Sequence, residues 1–522
     1  MRILIKNISA IFLVSICSQT ANAERISISL AELTDKVRGG WAGQMIGVSY
    51  GAPTEFRYLN RMIPEEELPE WQPEMIREAL NQDDLYVDIT FAAALDEHGL
   101  DATTNDFGAM FRDTEFALWH ANLSARRALR RGVPGDLSGT PQYNIHANDI
   151  DFQIEADFIG LMTPGLPQEA NTIGFRAGRV MNYGDGIYGG LFVSGMYAAA
   201  FFEDDPRAIV EAGLAVLPTE SSYAQVIADL LTWYERNPDD WRKAWYLLEG
   251  KWNGNEVCPS GAHHPFNIDA KLNGAYVAMG LLYGEGDFEQ TMLISTRAGQ
   301  DSDCNPSSAL GILGVVLGYG GIPQKYTSGF PAMADEKFNY TSYSFNDIVE
   351  STVTRAIALI ERTGGSVDGG VVNVETQEPQ QAAMEAWEDY GSLKELITFE
   401  DDRWKWSGDW ERTGIMLWGS ERVSNISSTN GSAAEIRFNG TGASVTGILL
   451  PNGGQAEVWL DGELHRTIDV YPDETMAKAS ESIWHAFGLR KKRHDLRIVV
   501  LGEPYGESTG SDISITGLQV FE

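Results

Sequence analysis

The stretch from Arg297 to Gly321, RAGQDSDCNPSSALGILGVVLGYGG, sets Asp301 and Asp303 two residues apart, just before Asn305-Pro306. Asn followed by Pro reads as an N-cap and the first helical position, where Pro has no needed N–H to lose and its φ already suits the turn. Two carboxylates therefore converge on one helix start. One acid is enough to complement a helix dipole. The second points to a hard-cation site, in which a loop fixed to a helix holds oxygen ligands at set distances for Mg²⁺ or Ca²⁺. A second acidic cluster, NQDDLYVD from Asn81, opens another helix with Asp83 and Asp84 and carries Asp88 one turn on. Adjacent ionised carboxylates repel, and a cation between them relieves that cost. Taken alone, each cluster is equally well explained as first-turn acids on a solvated helix end.

The elements that must hold these acids are helical. From Ser29 to about Thr363 the apolar periodicity is that of helices. It begins with Ser29 and Glu32 at capping-box spacing and a stripe of Leu33, Val37, Trp41 and Met45. Gly39, Gly40, Gly43 and Gly47 on the same stretch predict close helix-helix approach, or a helix opening into a loop near Gly51. Further helices are expected at Leu85 to Glu97, Asp106 to Arg131, Gly190 to Phe202, Tyr223 to Asn237, Leu272 to Leu282 and Pro306 to Leu317. Residues 364–398, rich in Gly, Val, Gln and Glu, read as a linker with one short helix. From Phe399 the pattern changes to short alternating segments at Ala434 to Phe438, Ala443 to Leu449, Ala456 to Leu460 and Leu496 to Val500. The dipeptides Asn439-Gly440, Asn452-Gly453 and Asp461-Gly462 punctuate them as hairpin turns, and the whole reads as a β-sandwich.

The order of an early Gly-rich helix, an Asp-Asp helix start and a late G-x-D-x-D loop before a Gly-rich helix resembles the ADP-ribosylglycohydrolase family. The resemblance spans roughly Leu30 to Gly321 and implies an all-helical catalytic fold over residues 24–363 that holds two Mg²⁺ ions, with Mn²⁺ or Ca²⁺ as substitutes. It places the family's metal ligands on Asp83, Asp84, Asp301 and Asp303. The family's glutamate after the first Gly-rich helix falls on Glu55, in GQMIGVSYGAPTEF, as catalytic acid or base. Three positions depart from the pattern. Gln82 stands at the hydroxyl ligand before Asp-Asp, Gln44 replaces an acid in the first helix, and Cys304 takes the place of Thr or Ser after the second late aspartate. A thiol is a soft donor ill-suited to Mg²⁺. The last domain, with FEDDRWKWSGDWERTG and VWLDGE, is similar to galactose-binding-like modules of secreted carbohydrate enzymes.

Other polar clusters carry weaker signals. In IDFQIEADFIGLMTPG, Asp151, Glu155 and Asp157 read as a salt-bridged helix, with Asp157 also a candidate substrate contact. In MNYGDGIYGG, glycines around Asp185 and Tyr188 mark either an ordinary turn or a backbone that approaches a substrate closely. His120, His146, His263 and His264 lack zinc-site spacing and are assigned no role. Trp404, Trp406, Trp410 and Trp418 crowd one region, as core of the sandwich or as a sugar platform.

Both ends of the chain and its charge restrict function further. Arg2 and Lys6, the apolar run Ile8 to Ile16 and Ala21-Asn22-Ala23 form a signal peptide over residues 1–23, so a periplasmic or extracellular protein is expected. Ile16 is a poor residue before a lipidated cysteine, which argues against anchoring at Cys17. No later stretch has about 20 charge-free apolar residues, so no membrane span is expected. Only Cys258 and Cys304 follow the signal; they form either one bridge or two free thiols. The formal net charge of −35 repels phosphate backbones and excludes nucleic acid as the main partner. The expected function is hydrolysis at the anomeric carbon of a sugar, in a glycan rather than an ADP-ribosyl conjugate because the chain is exported. An ADP-ribosyl-protein hydrolase and a non-catalytic sugar-binding protein are the alternatives.

Overall fold

A computed structural model describes residues 24–522 apart from 255, 256, 263, 386, 388, 389 and 418. The expected signal peptide with Cys17, His263 and Trp418 lie outside the described residues. Among the described residues, one short strand is followed by seventeen α-helices. They are α1 (Leu30–Gly51), α2 (Asp83–His98), α3 (Thr104–Arg112), α4 (His120–Arg130), α5 (Gly135–Ser138), α6 (Asp151–Ile154), α7 (Asp157–Leu161), α8 (Pro167–Gly178) and α9 (Asp185–Ala200). There follow α10 (Pro206–Ala215), α11 (Ser222–Arg236), α12 (Trp241–Trp252), α13 (Ala270–Gly284), α14 (Phe288–Arg297), α15 (Cys304–Leu317), α16 (Gln324–Thr327) and α17 (Phe345–Arg362).

Helix α1 is the axis of this domain. Ser29 caps it, its Oγ accepting from the Glu32 N–H at 3.0 Å, and every residue from Gly39 to Gly51 is buried. The helix does not open before Gly51. Gly39, Gly43, Gly47 and Gly51, each four residues apart, form one stripe against α15 and the turn before it. A Cβ on Gly43 would stand 2.0 Å from the Leu310 carbonyl oxygen, on Gly47 2.2 Å from that of Pro306, and on Gly51 2.1 Å from that of Ser302. Backbone therefore meets backbone, and only glycine permits it. Helices α9 and α13 are apolar around nearly their whole circumference and lie fully inside the same core.

The helix expected from Asp106 to Arg131 is broken at residues 113–119 into α3 and α4. Tertiary partners take over the backbone groups of the break. Arg126 donates to the Phe116 carbonyl at 2.6 Å, and Glu474, from the distant C-terminal region, accepts the Leu118 N–H at 2.9 Å.

Among the described residues, fifteen strands make four antiparallel sheets: β1 (Arg25–Ser29), β2 (Ser366–Asp368), β3 (Val371–Glu375), β4 (Leu393–Thr398), β5 (Lys405–Ser407), β6 (Glu411–Leu417), β7 (Ser420–Ser427), β8 (Ala433–Gly440), β9 (Gly442–Leu449), β10 (Gly454–Leu460), β11 (Glu463–Asp469), β12 (Lys478–Ala486), β13 (Lys492–Pro504), β14 (Ile513–Ile515) and β15 (Gly517–Phe521). The stretch read as a linker starts with β2 and β3, and β3 pairs with β1, Arg25 opposite Glu375. Residues 386, 388 and 389 of that stretch lie outside the described residues, and no α-helix is found among the rest. The sandwich packs β11-β10-β13-β8-β5 on β12-β9-β15-β4, with β14-β7-β6 beside them, and its first strand precedes Phe399.

Of the three expected hairpin turns only Asp461-Gly462 is one. It joins the paired strands β10 and β11 with φ of 53° and 87°, the double positive φ of a tight hairpin. Asn439-Gly440 and Asn452-Gly453 instead carry the chain from one sheet to the other. Trp404 is buried and stacks on Trp406 at 5.2 Å, which in turn meets Trp410 at 4.8 Å, so these rings belong to the core edge.

The sandwich docks on α4 through buried charge. Arg126 pairs with Glu474 at 2.6 Å, Arg131 with Asp469 and Asp473 at 2.6 Å each, and Lys478 lies 4.1 Å above the Trp119 ring. No helix among the described residues is long and apolar enough to cross a membrane.

Candidate functional site

Three chain segments meet at the C-terminal end of α1. The glycine stripe presses α15 so close that the turn 301–303 stands against Gly51, and Glu55 follows one turn later. The Thr54 and Ser302 hydroxyls bond at 2.8 Å, and the Phe56 N–H donates to the Gln300 carbonyl at 3.0 Å. Phe56 and Gln300 both hold left-handed backbone, at φ 48° and 54°. Two non-glycine residues in that region, bonded to each other, mark backbone strain that the surrounding packing enforces. The N-terminus of α2 supplies the third segment, with Asp83 and Asp84 as its first residues.

The carboxyl groups gather into two overlapping sets. Oxygens of Glu55, Asp301 and Asp303 lie within 4.8 Å of one another, as do those of Asp84 and Asp303 with the Cys304 sulfur. Asp303 is their shared corner. Asp83 belongs to neither set but is close enough to push up the Asp303 carboxyl. The helix starts at Cys304, so Asp303 rather than Asn305 takes the N-cap position, and Pro306 falls at the third helical residue.

Burial dominates the electrostatics. Asp84, Asp301 and Asp303 are almost fully buried, and desolvation followed by their like-charged neighbours raises each well above the usual carboxylate range. Glu55 keeps an exposed side chain at the rim, yet the facing Asp303 charge, then partial desolvation, push its carboxyl up to about 9. One oxygen each of Asp84, Asp301 and Asp303 has no hydrogen-bond donor. Buried acceptors left without partners cost free energy, and divalent cations held by the two overlapping sets would satisfy them. The donor set therefore fits a hard cation. Cys304 stays a thiol, its acidity suppressed by burial, and donates to Asp84 at 3.3 Å. Its sulfur also stands within 4.8 Å of the Asp84 and Asp303 oxygens. Cys258 and Cys304 are both free, so the alternative of a bridge is ruled out.

A buried polar layer lies under the acids. Gln44 donates to Asp88 at 3.4 Å, and Asp88 accepts the Phe158 N–H at 3.3 Å. Asp157, fully buried, is bonded by the Tyr197 hydroxyl and sits beneath the cluster rather than at its mouth. The expected salt bridges of Asp151 and Glu155 are not formed: Asp151 accepts the Ala121 and Asn122 N–H groups at the start of α4, and Glu155 accepts from the Asn122 side chain. Burial raises both carboxyls, Asp151 to about 6 and Glu155 well above the usual range, and so favours their neutral forms.

Asp185 and Tyr188 stand elsewhere, on α9. Asp185 accepts the Tyr223 N–H at 3.2 Å, and the Tyr188 hydroxyl donates to the Ala383 carbonyl at 3.0 Å, pinning the chain that leaves β3. The structure does not bring them to the acid cluster. Sequence reasoning missed Cys304 as a donor and Gln300 as a strained support; neither conformation nor partner is visible in residue type. A cavity of about 410 Å³ between α4 and the sandwich, bordered by Arg131, Tyr143, Arg466 and Trp484, is separate from the acids.

A family model described as ADP-ribosylglycohydrolase matches residues 29–361. No curated protein matches the chain. Among solved structures, an "ADP-ribosylglycohydrolase-related protein complex" covers 62% of this chain and 98% of its own, at 16% identity and a TM-score of 0.38. The CBM36-1 domain of a multidomain xylanase from the hindgut metagenome of Trinervitermes trinervoides covers 24% of this chain and 94% of its own, at 14% identity and a TM-score of 0.17. A two-domain esterase active on acetylated mannans covers 33% and 46%, at 10% identity and a TM-score of 0.21.

Proposed function

The chain belongs to the ADP-ribosylglycohydrolase family, and on that premise we propose that it is an exported, divalent-cation-dependent hydrolase of a glycosidic bond in a glycan. The observation that carries the reading is the trio of buried, unpartnered oxygens on Asp84, Asp301 and Asp303 beside an exposed Glu55. Those three aspartates, with Asp83 alongside, would hold the cation, Mg²⁺ in the first instance. When bound, it supplies Lewis acidity and a grip on vicinal sugar hydroxyls.

The protein's own groups do the rest. Glu55, at the open end, moves a proton to the leaving oxygen or from the attacking water. Phe56 and Gln300 hold its backbone through their mutual hydrogen bond, and the Cys304 thiol holds one Asp84 oxygen in place. A glycan is favoured over an ADP-ribosyl conjugate by the amino-terminal export pattern, by the net charge of −35, which opposes a diphosphate, and by the appended β-sandwich.

The test is a screen of the full chain on plant, algal and bacterial glycans and on ADP-ribosyl conjugates, with and without EDTA. New reducing ends that disappear with EDTA and in Asp301→Asn support the proposal. Release of ADP-ribose alone moves the substrate to the family's name-giving reaction. No turnover of either class with Mg²⁺ present overturns the enzyme reading in favour of a sugar-binding protein.

A further inference from the structure

A second group of ligand atoms, chemically unlike the acid cluster, lies between the cleft and the sandwich. His120 at the start of α4, His146 and Asp149 in the turn before α6, and Cys258 in the loop after α12 each offer one atom, and all four atoms lie within 4.8 Å of one another. The nearest separations are 2.8 Å from His146 Nδ1 to Asp149 Oδ2, 3.4 Å from His120 Nδ1 to the same oxygen, and 3.8 Å from Cys258 Sγ to His120 Nδ1. Four ligands at about 2.0–2.3 Å on the corners of a tetrahedron stand roughly 3.3–3.8 Å apart. The cluster is therefore already near the spacing of a tetrahedral ion.

We propose that His120, His146, Asp149 and Cys258 form a structural site for zinc or a similar borderline-soft divalent ion, with Glu481 of the sandwich orienting His146. Two imidazoles, one thiolate and one carboxylate select such an ion over Mg²⁺ or Ca²⁺, which prefer oxygen alone. The charges balance: thiolate and carboxylate neutralise a divalent ion, so a closed neutral unit is what gets buried. His146, Asp149 and Cys258 are all buried. Glu481 meets the other nitrogen of His146, Nε2, at 3.1 Å. A carboxylate on the far nitrogen of a ligating imidazole fixes its tautomer and raises its basicity.

The site would brace one wall of the cleft. The Phe266 ring stacks on His120 at 5.5 Å and 20°, and Phe56, the residue after Glu55, lies 4.8 Å from Phe266. Ordering His120 thus orders the ring against which the Glu55 turn rests.

The full chain, purified without chelator, is expected to carry about one equivalent of zinc. After exchange with Co²⁺ it should show thiolate-to-cobalt charge-transfer absorption. Cys258→Ala should abolish that band, while Asp301→Asn should keep it, which separates this site from the acid cluster and from the proposed reaction. Glu481→Gln retains all four ligands and should weaken zinc in competition with a chromophoric chelator by about 10- to 100-fold. That variant decides the matter if Cys258→Ala fails to fold. Wild-type protein that neither holds nor takes up Zn²⁺ or Co²⁺ overturns the site, as does a cobalt spectrum indifferent to Cys258→Ala or a zinc affinity unmoved by Glu481→Gln.

Discussion

Replacing Asp303 by Asn should stabilise the protein without cation, and saturating cation should cancel most or all of that advantage over wild type. Asp303 is the corner shared by both carboxyl sets, so its charge faces Glu55, Asp301 and Asp84 at no more than 4.8 Å. At an effective dielectric near 20, two unit charges at that distance repel by about 3.5 kcal/mol. Protonation relieves part of this, leaving an expected gain of roughly 2–4 kcal/mol for the variant in EDTA at pH 8. Because the buried acids have folded pKa values above their unfolded ones, the native state binds more protons and cation-free stability falls as pH rises; for Glu55 the window runs from 4.5 to about 9. The advantage of Asp303→Asn should accordingly shrink toward pH 5. With Mg²⁺ at a hundred times its dissociation constant, wild type should gain about 2.7 kcal/mol that the variant does not. Calorimetry of both proteins in EDTA and in Mg²⁺, at pH 5 and 8, gives four comparisons. If Asp303→Asn is destabilised equally in EDTA and in Mg²⁺, the acids are not a cation cage and the reasoning fails.

Three further outcomes follow from the same geometry. Glu55→Gln should lower turnover by about 10²- to 10⁴-fold while the Mg²⁺-dependent rise in melting temperature stays, since Glu55 stands at the rim and its amide cannot exchange a proton; steady-state kinetics and calorimetry measure the two effects. Gly47→Ala would set a Cβ 2.2 Å from the Pro306 carbonyl oxygen, so α15 must shift: a loss of at least about 1–3 kcal/mol is expected, together with loss of the Mg²⁺ response. Glu474→Ala leaves Arg126, whose side chain is 1% exposed, without its carboxylate and should cost about 3–5 kcal/mol in denaturant unfolding.

Local rules made much of this protein legible in one dimension. The Gly39, Gly43 and Gly47 spacing foretold the close helix pair, because a missing Cβ acts at the residue itself. The acids at Asp83, Asp84, Asp301 and Asp303 stood out as paired carboxylates at helix starts, but an ordinary helix end explains each pair alone, and only the family resemblance joined the two pairs into one expected site. Alternation and turn dipeptides marked β8, β9, β10 and β13 for the same reason, that side-chain period is a local property. Partners across the chain were not legible. Asn439-Gly440 and Asp461-Gly462 are alike as dipeptides, yet one changes sheet and the other closes a hairpin, and the difference lies in which strand stands beside each. The break after α3 depends on Glu474, more than three hundred residues away. His120, His146, Asp149 and Cys258 have no spacing that marks them as a group; they meet because three separate segments pack on one another and on Glu481. Residue type and period are set by the sequence near at hand, whereas burial, pKa and ligand geometry arise only when distant segments exclude water together.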